Sequence, residues 1–538
     1  MKKVIAGALL LASCATAPVK PPMLDLKITN GRILDGTGAP WFRGDIGVRG
    51  DTIVAVGRLD AMTAATTIDA AGHIVSPGFI DLLGWSHFTV LEDSSVEAKV
   101  RQGVTTEVTG EGFSPGPVRP ERTSVARPWN TLGEFLDHLD AKGTAINFGL
   151  LMGASNARQN IIGDIDRQAT MEEMRQMEEI VAQGMREGAL GLSTSLIYVP
   201  AMFSTTEEII NLARVAARHG GMYFSHIRDE GDRIDAALDE AFRIGREANI
   251  PVNIWHLKIT GRTNFGRMPD IIRRIEEARA SGIDVAANIY PYPASSTNLA
   301  TLAPDWAMEG GYKQLRVRLA DPEQRARIAE KLRESVERRG EKGIYVTRLS
   351  NPAHDQYEKK YIPEIAAMMN VAQHEAIMKL FEENETAPQV IFFSMSEEDV
   401  QYALKQPFVS FGADSAAPPA DARARGVGTH PRAYGTFPRV LGHYARDLKL
   451  ITLEEGVRKM TSQAALRAHL LDRGVLRAGM KADIVVFDPA AIRDLATFDN
   501  PHQFAVGISH VIVNGVPVLK DGTMTAARPG RTLRGGSR

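Results

Sequence analysis

The chain has 538 residues, of which 44% are hydrophobic and 24% charged, a composition typical of a folded globular enzyme rather than a disordered or fibrous protein. Its formal net charge is -2, so no excess of basic residues points to nucleic acid or an anionic surface as the main partner. This length and charge favour one large domain with a smaller one, acting on a small molecule.

The first 22 residues are predicted to be a lipoprotein signal peptide and tether. A charged Met1-Lys2-Lys3 precedes the apolar run Val4 to Ala12, and Leu11-Ala12-Ser13-Cys14 matches the lipobox, in which the cysteine carries the lipid. An ordinary secretory signal is the alternative, and both export the protein. Ala15 after the cysteine favours anchoring in the outer membrane, facing the periplasm. Because Cys14 is the only cysteine, we expect no disulfide and no thiolate metal ligand in the mature domain.

Short alternating strands at both ends predict a small β-sandwich built from two separate segments. Residues 23–75 contain strands at 26–29, 32–34, 45–48 and 52–56, and a turn at Asn30-Gly31 separates the first two. A similar pattern in residues 471–538 includes strands at 484–487, 511–513 and 516–519. We expect the two segments to pair, because the ends of a domain often lie close together.

Between these segments, residues 76–470 alternate apolar runs with amphipathic helices, the pattern of repeated βα units. Eight strands are predicted, at 78–83, 104–110, 146–152, 189–193, 222–226, 252–256, 284–289 and 408–414, which favours an α/β fold with a (β/α)8 TIM barrel. Helices are predicted at 171–187, 206–219, 233–248 and 268–281. The long gap between strands seven and eight, about residues 300–388, predicts an insertion over the barrel mouth, with a charged helix at 321–339.

Polar residues close several of the apolar runs, at the ends where a barrel places its catalytic groups. His226 and His256 close adjacent strands, and Asp414 closes the eighth. Two histidines on neighbouring strands can share a divalent ion such as Zn²⁺, while a carboxylate elsewhere on the rim serves as general base. Glu111 and Tyr290 follow two other runs and are further candidates.

A dense set of motifs extends from Leu26 to Asn514. It includes Ser76-Pro-Gly-Phe-Ile-Asp81, Gln102-Gly-Val-Thr-Thr106, Gly188-Ala-Leu-Gly-Leu-Ser-Thr194, Ser225-His-Ile-Arg-Asp-Glu-Gly231, His256-Leu-Lys258, Tyr290-Pro-Tyr292, His430-Pro-Arg432 and Gly479-Met-Lys-Ala-Asp483. Together these motifs resemble the N-acyl-D-amino-acid deacylases of the amidohydrolase superfamily. The resemblance implies a barrel hydrolase that uses a metal-activated water to cleave an amide bond.

Position by position, the resemblance implies a role for each matching residue. It makes His226 and His256 zinc ligands and Asp414 the residue that activates the metal-bound water. It places Lys258, Tyr290, Ser296 and Arg432 where that family recognises substrate. Arg432 and Lys258 are candidate partners for a substrate carboxylate, and the planar fork of an arginine binds a carboxylate through two hydrogen bonds.

The metal site departs from the family pattern. The family usually has a His-x-His pair after Gly-Phe-Ile-Asp, where this chain has Leu83 and Trp85, so we expect one Zn²⁺ rather than two. The family's thiolate ligand follows the second strand, in a stretch that is one residue shorter here. Counting back from Gly112-Phe-Ser114 puts Glu111 at that position, and Gly110 would let the chain turn there.

Other ways of completing the metal site remain open at this point. Glu111 is either a ligand or a structural carboxylate bound to backbone or to Arg228. His87, four residues after Leu83, is a second candidate ligand, and His430 is a third.

The expected function is hydrolysis of an N-acyl amino acid, a small amide that bears a carboxylate. Two alternatives are a metallo-dipeptidase or cyclic-amide hydrolase on the same barrel, and a metal-poor, non-catalytic envelope binding protein. The second alternative rests on the changes at the usual ligand positions. It is opposed by a combination that a purely structural role does not require, namely His226, His256, Lys258, Asp414 and Arg432 together.

Overall fold

A computed structural model describes residues 23–118 and 127–536. The predicted signal peptide, the predicted lipid attachment site Cys14 and the predicted tether are residues 1–22, which lie outside the described residues. No helix in the described ranges is both long enough and apolar enough to span a lipid bilayer.

The first half of the chain alternates strands and helices. The N-terminal strands are β1 (Leu24–Ile33), β2 (Phe42–Arg49), β3 (Thr52–Gly57), β4 (Ala64–Asp69) and β5 (Ile74–Pro77). The central strands are β6 (Phe79–Gly84), β7 (Val104–Thr109), β8 (Asn147–Leu150), β9 (Met152–Gly153), β10 (Gly191–Ser195), β11 (Met222–His226), β12 (Val252–Ile254) and β13 (Val285–Ile289). The helices among them are α1 (Ser86–Glu92), α2 (Glu97–Val100), α3 (Leu132–Lys142), α4 (Ala154–Ile161), α5 (Met171–Arg186), α6 (Thr206–Arg218), α7 (Ile234–Ala248) and α8 (Met268–Ala280).

The second half begins with a mixed segment that ends at residue 392. Its elements are β14 (Ser295–Asn298), α9 (Tyr312–Arg318), α10 (Pro322–Arg339), β15 (Ile344–Arg348), β16 (Lys360–Tyr361), α11 (Ile362–Met369), α12 (Gln373–Glu383) and β17 (Gln389–Phe392). After it come α13 (Glu397–Lys405), β18 (Val409–Phe411), α14 (Ala420–Ala424), α15 (Arg432–Arg439), a π-helical stretch (Val440–Asp447), α16 (Leu453–Met460) and α17 (Ser462–Arg467). The chain closes with β19 (Ile484–Phe487), β20 (Ile508–Val513), β21 (Val516–Lys520), β22 (Thr523–Met524) and β23 (Thr532–Leu533).

The two terminal segments pair in one sheet, as predicted. β19 runs antiparallel to β5, and the sheet has nine strands in the order β22-β21-β20-β19-β5-β1-β2-β3, with β4 beside β1. Its core is formed by residues from both segments, among them Ile28, Ile46 and Ile484. The predicted turn at Asn30-Gly31 is wrong: both residues lie inside β1, where the register to β2 shifts and Asn30 adopts a φ of 58°. A β-bulge absorbs this residue without ending the strand.

Each of the eight predicted central strands overlaps an observed strand. β6, β7 and β8 pair in parallel, and β9 to β13 followed by β18 form a second parallel row. Only Leu151 separates β8 from β9, and a parallel bridge joins Gly84 to Ser415. Two predicted ends are too long, because β12 stops at Ile254 and β18 at Phe411.

The four predicted central helices are present to within two residues of their expected ends. Their N-termini carry the local signals that start a helix. Thr170 caps α5 in a capping box with Glu173, and Thr205 caps α6 through the backbone N–H of Glu208.

The long segment between β13 and β18 has a hydrophobic core of its own. Its strands form an antiparallel sheet in the order β14-β17-β15-β16, and its helices bury residues such as Ile328, Leu332 and Phe381. The predicted charged helix is α10, which Asp321 caps.

Candidate metal centre

Three buried side chains converge at the ends of the central strands. Potential ligand atoms of Glu111, His226 and His256 all lie within 4.8 Å of one another. Glu111 Oε1 is 2.7 Å from His226 Nδ1 and 3.4 Å from His256 Nε2, and those two nitrogens are 3.0 Å apart. One carboxylate oxygen and two imidazole nitrogens therefore face a common point.

The two histidines are positioned by neighbouring parallel strands. His226 is the last residue of β11, and His256 lies two residues beyond the end of β12. The chain turns sharply at His256, whose φ is 35°, and its backbone N–H donates to Asn288 Oδ1 at 2.6 Å. The left-handed backbone conformation is costly for residues other than glycine, and residues that adopt it are concentrated at functional sites. This turn, which ends the strand early, allows the His256 ring to meet that of His226 edge-on, with centroids 4.3 Å apart.

Glu111 reaches the histidines from a turn between two glycines. Gly110 and Gly112 have φ values of 104° and 66°, which glycine adopts without strain. Ser193 Oγ donates to the Gly110 carbonyl and accepts from the Gly112 N–H, so the turn is held at both ends. A side chain at position 112 would collide with Ser195, since its Cβ would lie 2.0 Å from Ser195 Oγ.

The alternative role for Glu111, as a structural partner of Arg228, is not observed. Arg228 instead binds Glu240, with Nε and Nη2 each 2.8 Å from a carboxylate oxygen. Glu111 is 2% exposed, and its two nearest basic partners are the histidines.

The electrostatics of the cluster favour an ionised carboxylate. Burial opposes ionisation of Glu111, but the hydrogen bonds and charges of His226 and His256 lower its pKa overall. Burial likewise opposes protonation of His226, yet the charge of Glu230 and the hydrogen bond to Glu111 raise its pKa to about 9. Glu111 is thus ionised and paired with the two histidines.

The other two candidate ligands lie outside this cluster. His87 belongs to α1, and its Nδ1 is 2.6 Å from Thr109 Oγ1. Burial and the charge of Arg127 lower the pKa of His87 to about 4. His430 Nε2 is 3.0 Å from the carbonyl oxygen of Ala294, and burial, followed by the charge of Arg432, lowers its pKa well below the usual range. Both rings therefore have partners of their own.

Asp414 lies beyond β18 and is held through both carboxylate oxygens. Trp85 Nε1 donates to Oδ1 at 3.2 Å, and Arg432 Nη1 lies 2.8 Å from Oδ2. Asp414 has a φ of 48°, so it turns as His256 does. Leu83, the other residue at the expected His-x-His positions, is fully buried in the apolar interior.

The predicted substrate-binding residues gather near Asp414 and the histidines. The Arg432 guanidinium lies over the Tyr290 ring, 4.5 Å from its centroid, and donates to the carbonyl oxygen of Ser296 at 3.2 Å. The Lys258 ammonium is buried against His256 and donates to Glu230 at 2.5 Å. Glu230 therefore already occupies a carboxylate position beside this cation.

Two nearby residues were not predicted. Glu230 contacts both histidines and Lys258, and Tyr198 packs edge-on against His226 with its hydroxyl 2.6 Å from Thr297 Oγ1. Burial, followed by the charge of Glu111, raises the pKa of Tyr198. The one sequence signal for Glu230 was an acidic pair, Asp229-Glu230, that begins three residues after the strand-end histidine His226.

Comparison with known proteins gives a consistent picture over nearly the whole chain. The amidohydrolase family matches residues 66–519. The D-aminoacylase of Alcaligenes xylosoxydans xylosoxydans is 38% identical over 519 residues, covering 95% of this chain and 97% of that protein.

Solved structures with the same extent of similarity are also known. The N-acyl-D-glutamate deacylase of Bordetella bronchiseptica, complexed with zinc and a phosphonate mimic of the tetrahedral intermediate, has a TM-score of 0.82 and 34% identity, covering 95% of this chain and 100% of that one. A D-aminoacylase structure that addresses a binuclear metal centre, with one-metal activation and second-metal attenuation, has a TM-score of 0.80 and 37% identity at the same coverage.

Proposed function

The chain belongs to the amidohydrolase family, as its motifs predicted, and we propose that it hydrolyses the amide bond of an N-acyl-D-amino acid with one bound zinc ion. The observation that carries the proposal is the buried cluster of Glu111, His226 and His256 within a chain that matches D-aminoacylase over 95% of its length. Members of this family are hydrolases of carbon–nitrogen bonds other than peptide bonds. The relatives favour a deacylase over the cyclic-amide, dipeptidase and binding-protein alternatives.

The donor set of the cluster fits zinc. Two imidazole nitrogens and one carboxylate oxygen are the ligands of many catalytic zinc sites, which keep a fourth position open for water or substrate. All three side chains are buried, and the ring nitrogens that face Glu111 are the ones a metal would take. Glu111 would then replace the thiolate that this chain lacks.

A single ion is supported by the side chains that stand at the other expected ligand positions. Leu83 has no donor atom, and the indole of Trp85 offers only an N–H, which is directed to Asp414. Arg432 brings a positive charge to the second oxygen of Asp414. Both oxygens of the Asp414 carboxylate therefore already have partners, the Arg432 guanidinium and the Trp85 N–H. A second ion at this position would need one of these oxygens to be free.

Zinc bound at the cluster would supply Lewis acidity, lowering the pKa of a coordinated water toward ~7 and polarising the amide carbonyl. Asp414 accepts the proton of the attacking water and returns it to the leaving nitrogen. Trp85 and Arg432 fix the orientation of that carboxylate. Burial raises the pKa of Tyr290 well above its usual range, so its hydroxyl stays protonated and can donate to the developing oxyanion.

We assign the substrate carboxylate to Arg432 rather than to Lys258. The Lys258 ammonium is committed to Glu230, whereas the Arg432 guanidinium has five N–H donors and uses only part of them on Asp414 and Ser296. An arginine can bind the carboxylate through two parallel hydrogen bonds while keeping its contact with Asp414.

We also propose that the two parallel rows of strands close into a (β/α)8 barrel that presents this site at its mouth. The single residue between β8 and β9 and the bridge from Gly84 to Ser415 support closure on both sides.

Lipid anchoring at Cys14 in the outer membrane, facing the periplasm, rests on the lipobox alone. Membrane fractionation of the wild type and of Cys14→Ser tests it, and release of only the variant into the soluble fraction is the expected result.

The function is tested by metal analysis and by activity on a panel of N-acyl D- and L-amino acids. We expect close to one zinc per chain, hydrolysis of the D-series, and loss of activity on chelation with recovery on adding zinc. Glu111→Ala should lose the metal, while Glu111→Cys, which restores the family's thiolate, should retain it. Full zinc occupancy in Glu111→Ala, or hydrolysis that chelation leaves unchanged, would contradict the proposal.

A further inference from the structure

The Glu230 carboxylate lies beside both histidines, near the ring nitrogens that do not face Glu111. Its Oε1 is 3.0 Å from His256 Nδ1, and its Oε2 is 3.6 Å from His226 Nε2. The opposite ring nitrogens, His256 Nε2 and His226 Nδ1, are those that face Glu111. One carboxylate therefore faces the outer nitrogen of each ring, with a different oxygen for each.

The protonation of each ring requires a hydrogen-bond acceptor at the nitrogen that does not bind the metal. An imidazole that gives one nitrogen to a metal is neutral and carries its proton on the other nitrogen, so that nitrogen must donate a hydrogen bond. His226 Nε2 is buried and has no hydrogen-bond partner among the described residues, and Glu230 Oε2 lies 3.6 Å from it. His256 Nδ1 faces the other oxygen of the same carboxylate.

Lys258 cannot take the place of Glu230 in this role. Its ammonium lies 2.8 Å from His256 Nδ1, but an ammonium has three donors and no acceptor, so it cannot receive the Nδ1 proton of a metal-bound histidine. It donates instead to Glu230 Oε1 at 2.5 Å and to the His256 carbonyl at 3.1 Å. Lys258 thereby balances the charge of Glu230, whose side chain is 12% exposed.

We infer that Glu230 is a positioning residue that fixes the tautomer and orientation of both zinc-binding histidines through its two oxygens, with Lys258 as its counter-charge. This inference rests on the proposed zinc site. Outer carboxylates of this kind raise the basicity of the ligand, and their loss typically weakens metal binding about 10- to 100-fold. The loop from His226 to Glu230 thus contributes both a ligand and the group that orients the ligands.

The test is zinc affinity of the metal-free full chain, measured by competition with a chromophoric chelator. Glu230→Gln keeps the shape of the side chain but leaves one oxygen acceptor in place of two, so we expect zinc binding about 10- to 100-fold weaker than in the wild type. Glu207→Gln is the matched control, because Glu207 is an exposed glutamate on α6 that pairs with Arg243. We expect the control to bind zinc as the wild type does.

Lys258→Met separates orientation of the ligands from simple loss of an ion pair. This variant keeps both Glu230 oxygens, so its zinc affinity should stay at least about tenfold above that of Glu230→Gln. The cobalt-substituted forms give a second readout, since a displaced histidine changes the visible absorption bands of Co²⁺ in Glu230→Gln but not in Lys258→Met. Equal affinities in the two variants, or a Glu230→Gln affinity within about twofold of wild type, would overturn the inference.

A further comparison covers the case in which Glu230→Gln alone does not fold because its ammonium partner is left buried and unpaired. The double variant Glu230→Gln with Lys258→Met removes both charges, and its zinc affinity is then compared with that of Lys258→Met. A loss of about tenfold supports the role of Glu230, and equal affinities refute it. If the wild type itself binds no zinc, the proposed function fails instead, so the two failures are distinguishable.

Discussion

Replacing Trp85 with phenylalanine would remove one hydrogen-bond donor from Asp414 while leaving an aromatic ring in place. In the structure the indole N–H donates to Asp414 Oδ1 at 3.2 Å, and Arg432 holds the other oxygen at 2.8 Å. After the substitution Asp414 keeps its charge partner but can rotate about it. We therefore expect a catalytic defect without loss of the metal or of the fold.

The size of the defect follows from the hydrogen bond that is lost. A hydrogen bond to a charged group contributes about 1.5–3 kcal/mol, and each ~1.4 kcal/mol corresponds to about tenfold in rate. The 3.2 Å distance is at the long end for such a bond, so the lower part of this range applies. We expect kcat to fall about tenfold while KM changes less than about twofold, because Asp414 acts on the water proton rather than on the bound substrate.

Steady-state kinetics on an N-acyl-D-amino acid, with zinc content measured on the same samples, provide the assay. Trp129→Phe is the matched control, since the Trp129 indole also donates a single hydrogen bond, to the carbonyl oxygen of Pro115 at 3.1 Å. The control should keep wild-type kcat. A Trp85→Phe enzyme with kcat within about twofold of wild type, or an equal defect in the control, would refute the reasoning.

Asp414→Asn should lower kcat at least about 100-fold with zinc content unchanged, as expected for loss of a general base; zinc loss in parallel would contradict this. His87 is neutral in the folded chain down to about pH 4, against 6.5 for the free side chain, so between these values the unfolded state binds more protons. Stability should therefore fall by ~3 kcal/mol as pH drops from 6.5 to 4, and urea unfolding at both pH values should show a smaller drop in His87→Gln. Lys99→Met leaves the buried carboxylates of Asp81 and Glu107 without their cation and should cost about 3–5 kcal/mol, seen as a lower melting temperature; an unchanged one would refute this.

The sequence predicted the parts of the site that obey a repeating pattern. His226 is the last residue of an apolar run that forms a parallel strand. Its place at the carboxyl end of the strand, where catalytic groups gather, could therefore be inferred from its position in the sequence alone. Glu111 could be proposed because counting back from Gly112 puts it at the ligand position and Gly110 permits a turn there, and Gly110 does adopt a positive φ of 104°. The helix starts at Met171 and Thr206 were likewise predicted from local patterns.

The remaining contacts could not be predicted because they depend on where loops place residues that are distant in the chain. Trp85 was identified only as a residue that does not bind metal, and its bond to Asp414 joins positions 329 residues apart. Glu230 lies beyond the strand, where the alternation of faces no longer applies, so its contact with His256 had no pattern to predict it. The early ends of β12 and β18 have the same origin, since His256 and Asp414 leave the strand conformation to face the site.

The charges gathered at the site also bear on how many metal ions it holds. Among the described residues, the site contains three carboxylates, Glu111, Glu230 and Asp414, and two cations, Lys258 and Arg432. Lys258 pairs with Glu230 and Arg432 with Asp414, and the sum is a net charge of about -1 when the histidines are neutral. One divalent ion brings the site to about +1, and a substrate carboxylate then neutralises it. Two divalent ions would leave about +3 in a buried pocket, where unpaired charge is costly. Since Trp85 and Leu83 bring no negative charge to offset a second ion, the charge balance and the ligand set both support the proposed single zinc ion and a substrate that carries a carboxylate.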